Sequence, residues 1–344
     1  MDLRIGVLGA TGALGKEIVG VLDRTTWRPD SIVPVASPGT TNPFVEYGSS
    51  QVAVEGIDSC DIPELDALII AAPKSAVADI AREAIRSGVP VVDCSGFLSE
   101  TDEAPCLVPW VNPELLAEGV QRGAIAVPDA ASILLGSVIG PLIRSGIIGE
   151  FQATLLYPAS HAGRSGMEEL SKQVISLFNA GTPPRKVFEH GLAFDIIPQM
   201  GPVDEYGWSD VETEVVATVQ KMLRTQIPVS ISAMMIPVFS GLSADIHLRT
   251  TKRVMPDLVK QVLQDGGIKM TEVPSPGTEP RPRRVEGEPF VHCGRIRTDA
   301  NGHHLHLWAG MDNLRATATV SVGCCAALLR EEIEAAKMAQ SQSE

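Results

Sequence analysis

Short apolar runs alternate with amphipathic stretches along the first third of the chain. Leu3 to Leu8 is one such run; it ends in Gly9-Ala-Thr-Gly12-Ala-Leu-Gly15, and Lys16 to Asp23 follows with helical character. Further apolar runs at Ser31 to Ala36, Ala67 to Ala72, Val89 to Asp93 and Ala124 to Val127 alternate with helix-like stretches such as Ser75 to Ser87 and Pro113 to Glu118. Runs this short, spaced by helices, suit strands covered on both faces, so the pattern predicts a doubly wound parallel sheet over about the first 130 residues.

Beyond Gly149 the pattern changes. Longer strands, such as Glu150 to Tyr157 and Pro228 to Val238, mix with amphipathic helices at Met167 to Phe178 and Ser209 to Leu223, which predicts an α+β domain with a mostly antiparallel sheet. Residues 273–289 are rich in proline, glycine and charge and read as a loop. Ala316 to Met338 reads as a closing helix that returns to the first domain, which gives the expected division 1–130 plus 316–344 and 131–315. A length of 344 residues fits two domains.

Composition narrows the function classes. The formal net charge of −14 argues against a nucleic-acid partner, and no apolar run is long enough to span a membrane. The N-terminus has no basic and apolar leader, so the expectation is a cytoplasmic protein. Six cysteines without CxxC spacing imply reduced thiols. His304 and His306 would share one strand face, but no further ligand follows at zinc spacing, so no metal site is expected.

The glycine turn lies after a strand and before a helix. There the first glycine permits a tight turn, the second admits a pyrophosphate and the third lets helix and strand pack closely. The turn therefore predicts a dinucleotide-type, Rossmann-like fold. Whether NADP or NAD still binds stays open, because the second strand ends Ala36-Ser37-Pro38-Gly39-Thr40 with no carboxylate for a ribose. Glycines kept for packing after loss of the ligand explain the same turn.

Several spaced motifs then carry a resemblance. Gly9 to Gly15 resembles GATGxVG, and Leu107-Val-Pro-Trp-Val-Asn112 resembles LVVPEVN. Ser160-His-Ala-Gly-Arg-Ser-Gly-Met-Glu-Glu-Leu170 is similar to SGAGxxGxxEL, and Ala193-Phe-Asp-Ile-Ile-Pro198 to AFNxIP. Ile236-Pro-Val-Phe239, Cys293-Gly-Arg-Ile-Arg297 and Asp312-Asn-Leu-Arg315 are similar to VPVF, VGRIR and DNLR. In this order they identify the chain as resembling the aspartate-semialdehyde dehydrogenase family. The resemblance implies a dinucleotide-binding domain, a substrate and dimerisation domain, a homodimer, and NADP contacts from Gly9, Thr11, Gly12, Ala13, Leu14, Gly15, Ser37, Ser95 and Asn313.

The family's reaction, as the resemblance implies it, uses a cysteine thiolate that forms a thioester, a histidine that moves the proton, and hydride from NADPH. The motif NPNCST is Val127-Pro-Asp-Ala-Ala-Ser132 here, so Ala130 stands at the cysteine and Asp129 at the preceding asparagine. Leu242 stands at the histidine, Met235 and Leu98 at two substrate arginines, Pro158 at a glutamine, and Val211 and Glu214 at an acid and a lysine. Gly39 replaces the arginine that holds the 2′-phosphate, and Ala72-Pro-Lys-Ser75 replaces the AGGS loop. The parent reaction is therefore not expected, and a ligand less anionic than aspartyl phosphate is. Usg-type paralogues in bacteria resemble the family and lack the cysteine in the same way.

Replacement chemistry has five candidates: His161 as acid or base, Asp129 as its partner, Cys94 as an alternative nucleophile, and Glu214 and Arg164, which would complete an acid, base and cation set. The plainer readings are a loop-capping histidine, an ordinary helix N-cap and a buried small hydrophobe. Three functions remain open: an oxidoreductase homologue with an altered substrate; a lyase, cyclase or hydrolase using His161 with Asp129 or Glu214; and a non-catalytic regulatory partner.

Overall fold

The computed structural model describes residues 3–37, 43–271 and 278–334. The chain divides into two compact units, one of Met1–Asp129 with Thr317–Glu344 and one of Ala130–Ala316.

The first unit carries β1 (Arg4–Leu8), β2 (Ser31–Ala36), β3 (Phe44–Tyr47), β4 (Ser50–Ala53), β5 (Glu55–Gly56), β6 (Ala67–Ile70), β7 (Val91–Asp93) and β8 (Ala124–Ala126). Its sheet runs β5-β2-β1-β6-β7-β8, and every pairing in it is parallel. The predicted fold class is therefore present. β1 lies between β2 and β6, so the strand order reverses at its carboxyl end, the switch point at which such sheets bind ligands. α1 (Ala13–Leu22), α2 (Ala78–Arg86), α3 (Phe97–Glu100) and α4 (Leu116–Arg122) connect the strands. In α2, Ala81 and Ala84 are buried while Arg82, Glu83 and Arg86 are exposed, the helical spacing that the sequence pattern signals. The hairpin β3–β4 turns at Gly48, whose φ is +59°. The sequence reading did not foresee it.

The second unit holds α5 (Ala130–Arg144), β9 (Ile148–Tyr157), α6 (Gly163–Phe178), α7 (Asp210–Leu223), β10 (Val229–Met235), β11 (Leu242–Thr250), α8 (Pro256–Asp265), β12 (Lys269–Met270), α9 (Pro282–Val285), β13 (His292–Thr298) and β14 (His304–Met311). The final helix, α10 (Asn313–Leu328), starts in this unit and ends in the first. The sheet order is β10-β9-β11-β14-β13-β12. The pairs β9–β11, β11–β14 and β13–β14 are antiparallel, and the outermost strands β10 and β12 lie parallel to their neighbours. Part of the stretch 273–289, expected as loop, is helical: Pro282 starts the single turn α9, where its missing N–H costs nothing.

Strand alternation puts Phe151, Ala153 and Leu155 of β9 and Leu242, Ala244, Ile246 and Leu248 of β11 on the buried face. Gln152, His247 and His304 stand on the other face, exposed. α5 packs against α7, α8, β9 and β14, and every residue from Ala131 to Leu142 is buried. A helix apolar on all sides belongs at the centre of its unit.

The glycines of the first turn are fixed by packing. Gly9 has φ +86°, and a Cβ there would meet the Ala71 carbonyl oxygen at 2.5 Å. A Cβ on Gly15 would overlap the Gly9 carbonyl, whereas one on Gly20, in the same helix, would meet nothing within 4 Å. Gly15→Ala is expected to destabilise the protein by about 1–3 kcal/mol through that overlap. Gly20→Ala is expected to stabilise it by about 0.5–1 kcal/mol through helix propensity. Urea denaturation of both variants checks the pair, and equal effects would show that packing at the turn is not what selects the glycine.

Candidate functional site

The dinucleotide-type turn opens with the Gly9 amide donating to the Val35 carbonyl at 2.8 Å and closes with Gly12 N–H on the Gly9 carbonyl at 2.9 Å. α1 begins at Ala13 with Gly12 as its N-cap and no side-chain cap. Glycine at all three positions keeps side chains away from the helix start, which suits an approaching phosphate. Thr11, Ala13 and Leu14 lie in this turn and Ser37 lies just past β2, exposed. Gly39 and Thr40 are outside the described residues.

At the end of β7, the buried Asp93 organises the next turn. One carboxylate oxygen accepts the Ser95 amide at 2.8 Å and the Ser95 hydroxyl at 2.5 Å, and the other accepts the Leu98 amide at 2.8 Å. The Ser95 hydroxyl, expected at a cofactor, is thus engaged in its own turn. Lys74, in the loop after β6, pairs with Glu100.

Cys94 does not have the environment of a nucleophile. Its sulfur lies 3.0 Å from the Ser321 hydroxyl, and burial pushes the thiol up to about 12. A reactive cysteine needs the opposite shift, so packing is the better account of this residue.

In the second unit, β9 runs into Pro158 and a helical turn, Ala159–Ala162, that carries His161. The His161 amide donates to the Pro158 carbonyl at 3.0 Å, and its ring meets the buried Tyr157 ring edge-on at 4.7 Å. The imidazole is exposed. The turn is clamped to the segment that precedes β11: Ala159 and Ser160 donate their amides to the carbonyls of Val238 and Phe239 at 2.8 and 2.9 Å. Asn313 completes the clamp, its side-chain oxygen accepting the Ser160 hydroxyl and the Gly241 amide, both at 3.1 Å. The structure thus gathers His161, Gly241 and Asn313 into one small region.

The other candidates stand differently. Asp129 is exposed and immediately precedes α5, the position of an ordinary N-cap, and Ala130 is the first residue of that helix. Glu214 is exposed on α7. Arg164, the cation of the expected set, is bound 2.6 Å from Glu168 one turn along α6. Among the described residues no group of three or more His, Cys, Asp or Glu is arranged to hold a metal ion.

Three positions at which the resemblance implied family chemistry are interior. Leu98 and Leu242 are 0% exposed and Met235 is 7% exposed. Met235 exchanges both backbone hydrogen bonds with Ile197 and lies beside Tyr157.

Four residues to which the sequence reading gave no role of their own hold backbone. Asn112 accepts the Val108 amide and donates to the Cys106 carbonyl. Glu169 accepts the amides of Lys186, Val187 and Phe188 at 2.8–2.9 Å. Gln173, one turn on, accepts those of Leu192 and Ala193. Glu212 accepts the amides of Ser209 and Ala233, tying α7 to β10. Their signal in the sequence is a polar residue at an inward position of an amphipathic helix or beside a buried strand.

A parallel sheet with a glycine turn at its switch point, and a mixed sheet with one face packed by helices, define the two-part class of nucleotide-fold dehydrogenases. Residues 4–119 match the family model described as semialdehyde dehydrogenase, NAD binding domain, and residues 139–316 match semialdehyde dehydrogenase, dimerisation domain. The chain belongs to the semialdehyde dehydrogenase family. It is 27% identical over 319 residues to an aspartate-semialdehyde dehydrogenase of Rickettsia bellii, covering 92% of this chain and 94% of that one. It is 29% identical over 322 residues to a USG-1 protein homolog of Pseudomonas aeruginosa, covering 93% and 95%. Among solved structures, aspartate semialdehyde dehydrogenase II of Vibrio cholerae, complexed with ASA, superposes with a TM-score of 0.88 at 26% identity, covering 96% of this chain and 99% of that one.

Burial raises the Glu169 carboxyl, but the amides of Phe188, Val187 and Lys186 and the side chain of Gln173 outweigh it and hold the group below its ordinary value. A lowered folded-state value stabilises above the unfolded one and is lost as pH falls through it. Glu169→Gln is expected to cost about 1–3 kcal/mol at neutral pH. The gap to the parent should close on acidification. Thermal melts across the acid range check this, and a gap independent of pH would mean that the charge is not what binds the loop.

Proposed function

We propose that this protein is an oxidoreductase homologue of the semialdehyde dehydrogenase family that does not carry out thioester-based reductive dephosphorylation of aspartyl phosphate. One observation carries the reading. Where the family's nucleophile, base and two substrate arginines align, this chain has Ala130, Leu242, Met235 and Leu98, and the last three are packed in apolar interior. A buried leucine supplies neither proton transfer nor charge, and an arginine at such a position would need a partner that the packing does not provide. The change extends over several elements, so restoring one group does not restore the site.

The ligand that fits this chain is less anionic than aspartyl phosphate. NADP or NAD remains compatible with the glycine turn, which places no side chain at the start of α1, and its binding is weakened by the absence of a carboxylate and an arginine after β2. With a nicotinamide bound, the cofactor would supply hydride transfer. Gly9, Thr11, Gly12, Ala13, Leu14 and Gly15 would hold its phosphates, with Ser37 and Ser95 along the rest of it. The match to a dimerisation domain supports pairing of two copies through the second unit. Among the described residues no helix is long and apolar enough to cross a membrane, which is compatible with the expected cytoplasmic setting.

A second reading is favoured by His161, an exposed imidazole on a turn clamped by Asn313. In it the chain is a non-redox lyase, cyclase or hydrolase, with His161 as acid or base and Asp129 or Glu214 as its partner.

With aspartate semialdehyde, phosphate and NADP, the purified protein is expected to show no turnover above background, and Ala130→Cys is expected not to create it. Nicotinamide fluorescence and thermal-shift titration test cofactor binding separately. Parent turnover by the unmodified chain would overturn the first reading. On the second, His161→Ala abolishes whatever turnover is found, and unaffected turnover would overturn it.

A further inference from the structure

The loops that follow β2, β1, β6, β7 and β8 lie at the carboxyl end of the parallel sheet, the end at which such sheets take ligands. Their described residues are 37, 9–12, 71–77, 94–96 and 127–129, and Lys74 is the one basic side chain among them. Lys16, one turn into α1, lines the groove between that helix and the hairpin β3–β4 instead.

The backbone brings Lys74 up to the glycine turn. β6 is the neighbour of β1, with Ile70 opposite Leu8, and the Ala71 amide donates to the Leu8 carbonyl at 2.8 Å. The next residues run against the turn itself: a Cβ on Gly9 would stand 2.5 Å from the Ala71 oxygen and 3.0 Å from the Ala72 nitrogen. Pro73 then leads into a helical turn, Lys74–Ala76. The lysine is therefore two residues from the point of contact.

The Lys74 side chain is half-exposed, and its ammonium pairs with Glu100 at the end of α3, the helix that follows β7. Water and salt screen an exposed pair, and two flexible side chains must be ordered to make it, so it adds little to stability. It keeps the lysine at the carboxyl end of the sheet and yields readily to a stronger anion.

The charge balance of the chain calls for such a cation. A formal net charge of −14 opposes the approach of a dinucleotide diphosphate. The glycine turn answers with backbone N–H groups and the partial positive charge of α1, whose first turn has no acidic residue and no side-chain cap. Position 39, where the resemblance implies an arginine, is glycine.

We propose that Lys74 neutralises the diphosphate of a dinucleotide bound at the glycine turn, and that Glu100 holds the lysine ready and competes for it. The inference rests on the cofactor reading put forward above. Lys74 follows β6, on the opposite side of β1 from β2, whereas the 2′-phosphate of NADP belongs past β2 by the resemblance. The group that the lysine meets is thus common to NAD and NADP, and the site takes the two alike. Its positive charge lies at the middle of the cofactor rather than at the adenosine end.

Isothermal titration calorimetry of the full-length protein with NAD and with NADP tests this. The unmodified protein is expected to bind both with similar affinity. Lys74→Gln is expected to weaken both by the same factor, roughly tenfold to a hundredfold, the worth of a hydrogen bond to a charged group. Lys74→Arg should keep most of the affinity, and Glu100→Gln should raise it for both by removing the competing carboxylate. Without cofactor, Lys74→Gln is expected to melt as the parent does, so that lost affinity reads the contact and not the fold. Failure of the unmodified protein to bind either dinucleotide would overturn the cofactor reading and this inference together. Binding that Lys74→Gln leaves unchanged, or a loss confined to NADP, would overturn the inference and leave the cofactor reading standing.

Discussion

The side-chain oxygen of Asn313 accepts two hydrogen bonds, and much of the candidate site depends on them. One donor is Ser160, in the turn after β9, and the other is Gly241, in the approach to β11. Both loops carry residues that define the site, His161 in the first and Leu242 just past the second. The neighbouring Asp312 fixes the base of this arrangement. It caps the start of α10 through the amides of Leu314 and Arg315, and its other oxygen accepts the amide of Gly287. A short loop carries many polar backbone groups and little apolar surface, so without such a partner its geometry would not be single-valued.

The motifs that carry the family resemblance divide on this physical ground. Those that survive nearly intact hold backbone. Asn112 closes the turn of Leu107 to Asn112, Glu169 organises the segment from Lys186 to Phe188, and Asp312 caps α10. Leu98, Met235 and Leu242, where the resemblance implied chemistry, are packed in the interior instead.

The architecture was legible because the signals were local and repeated. The period of short apolar runs foretold the parallel sheet, and longer apolar strands mixed with amphipathic helices foretold the mixed one. β11 was not singled out, although Leu242 to Thr250 alternates Leu, Ala, Ile and Leu with Ser, Asp, His and Arg, the period of a strand buried on one face, as its place between β9 and β14 bears out. The hairpin at Gly48 and the turn at Pro282 were hidden for a related reason: each is too short to show a period. Within the candidate site, the reading of Ala130 rests on residue identity and the resemblance, and the structure adds only that it begins α5. Arg164 gave the opposite lesson. Its charge suggested a ligand contact, and its position four residues before Glu168 on α6 accounts for it instead.

Burial of the thiols has a consequence for the chemistry of the whole chain. Cys60, Cys94, Cys293, Cys324 and Cys325 are all shifted upward, chiefly by desolvation, and Cys106 is buried as well. A protein of this kind is a poor target for electrophiles and peroxides at neutral pH, since few of its sulfurs are ever ionised. Reagents that capture ionised cysteines would find little to react with at the buried thiols of this chain, so cysteine labelling is a poor handle on it.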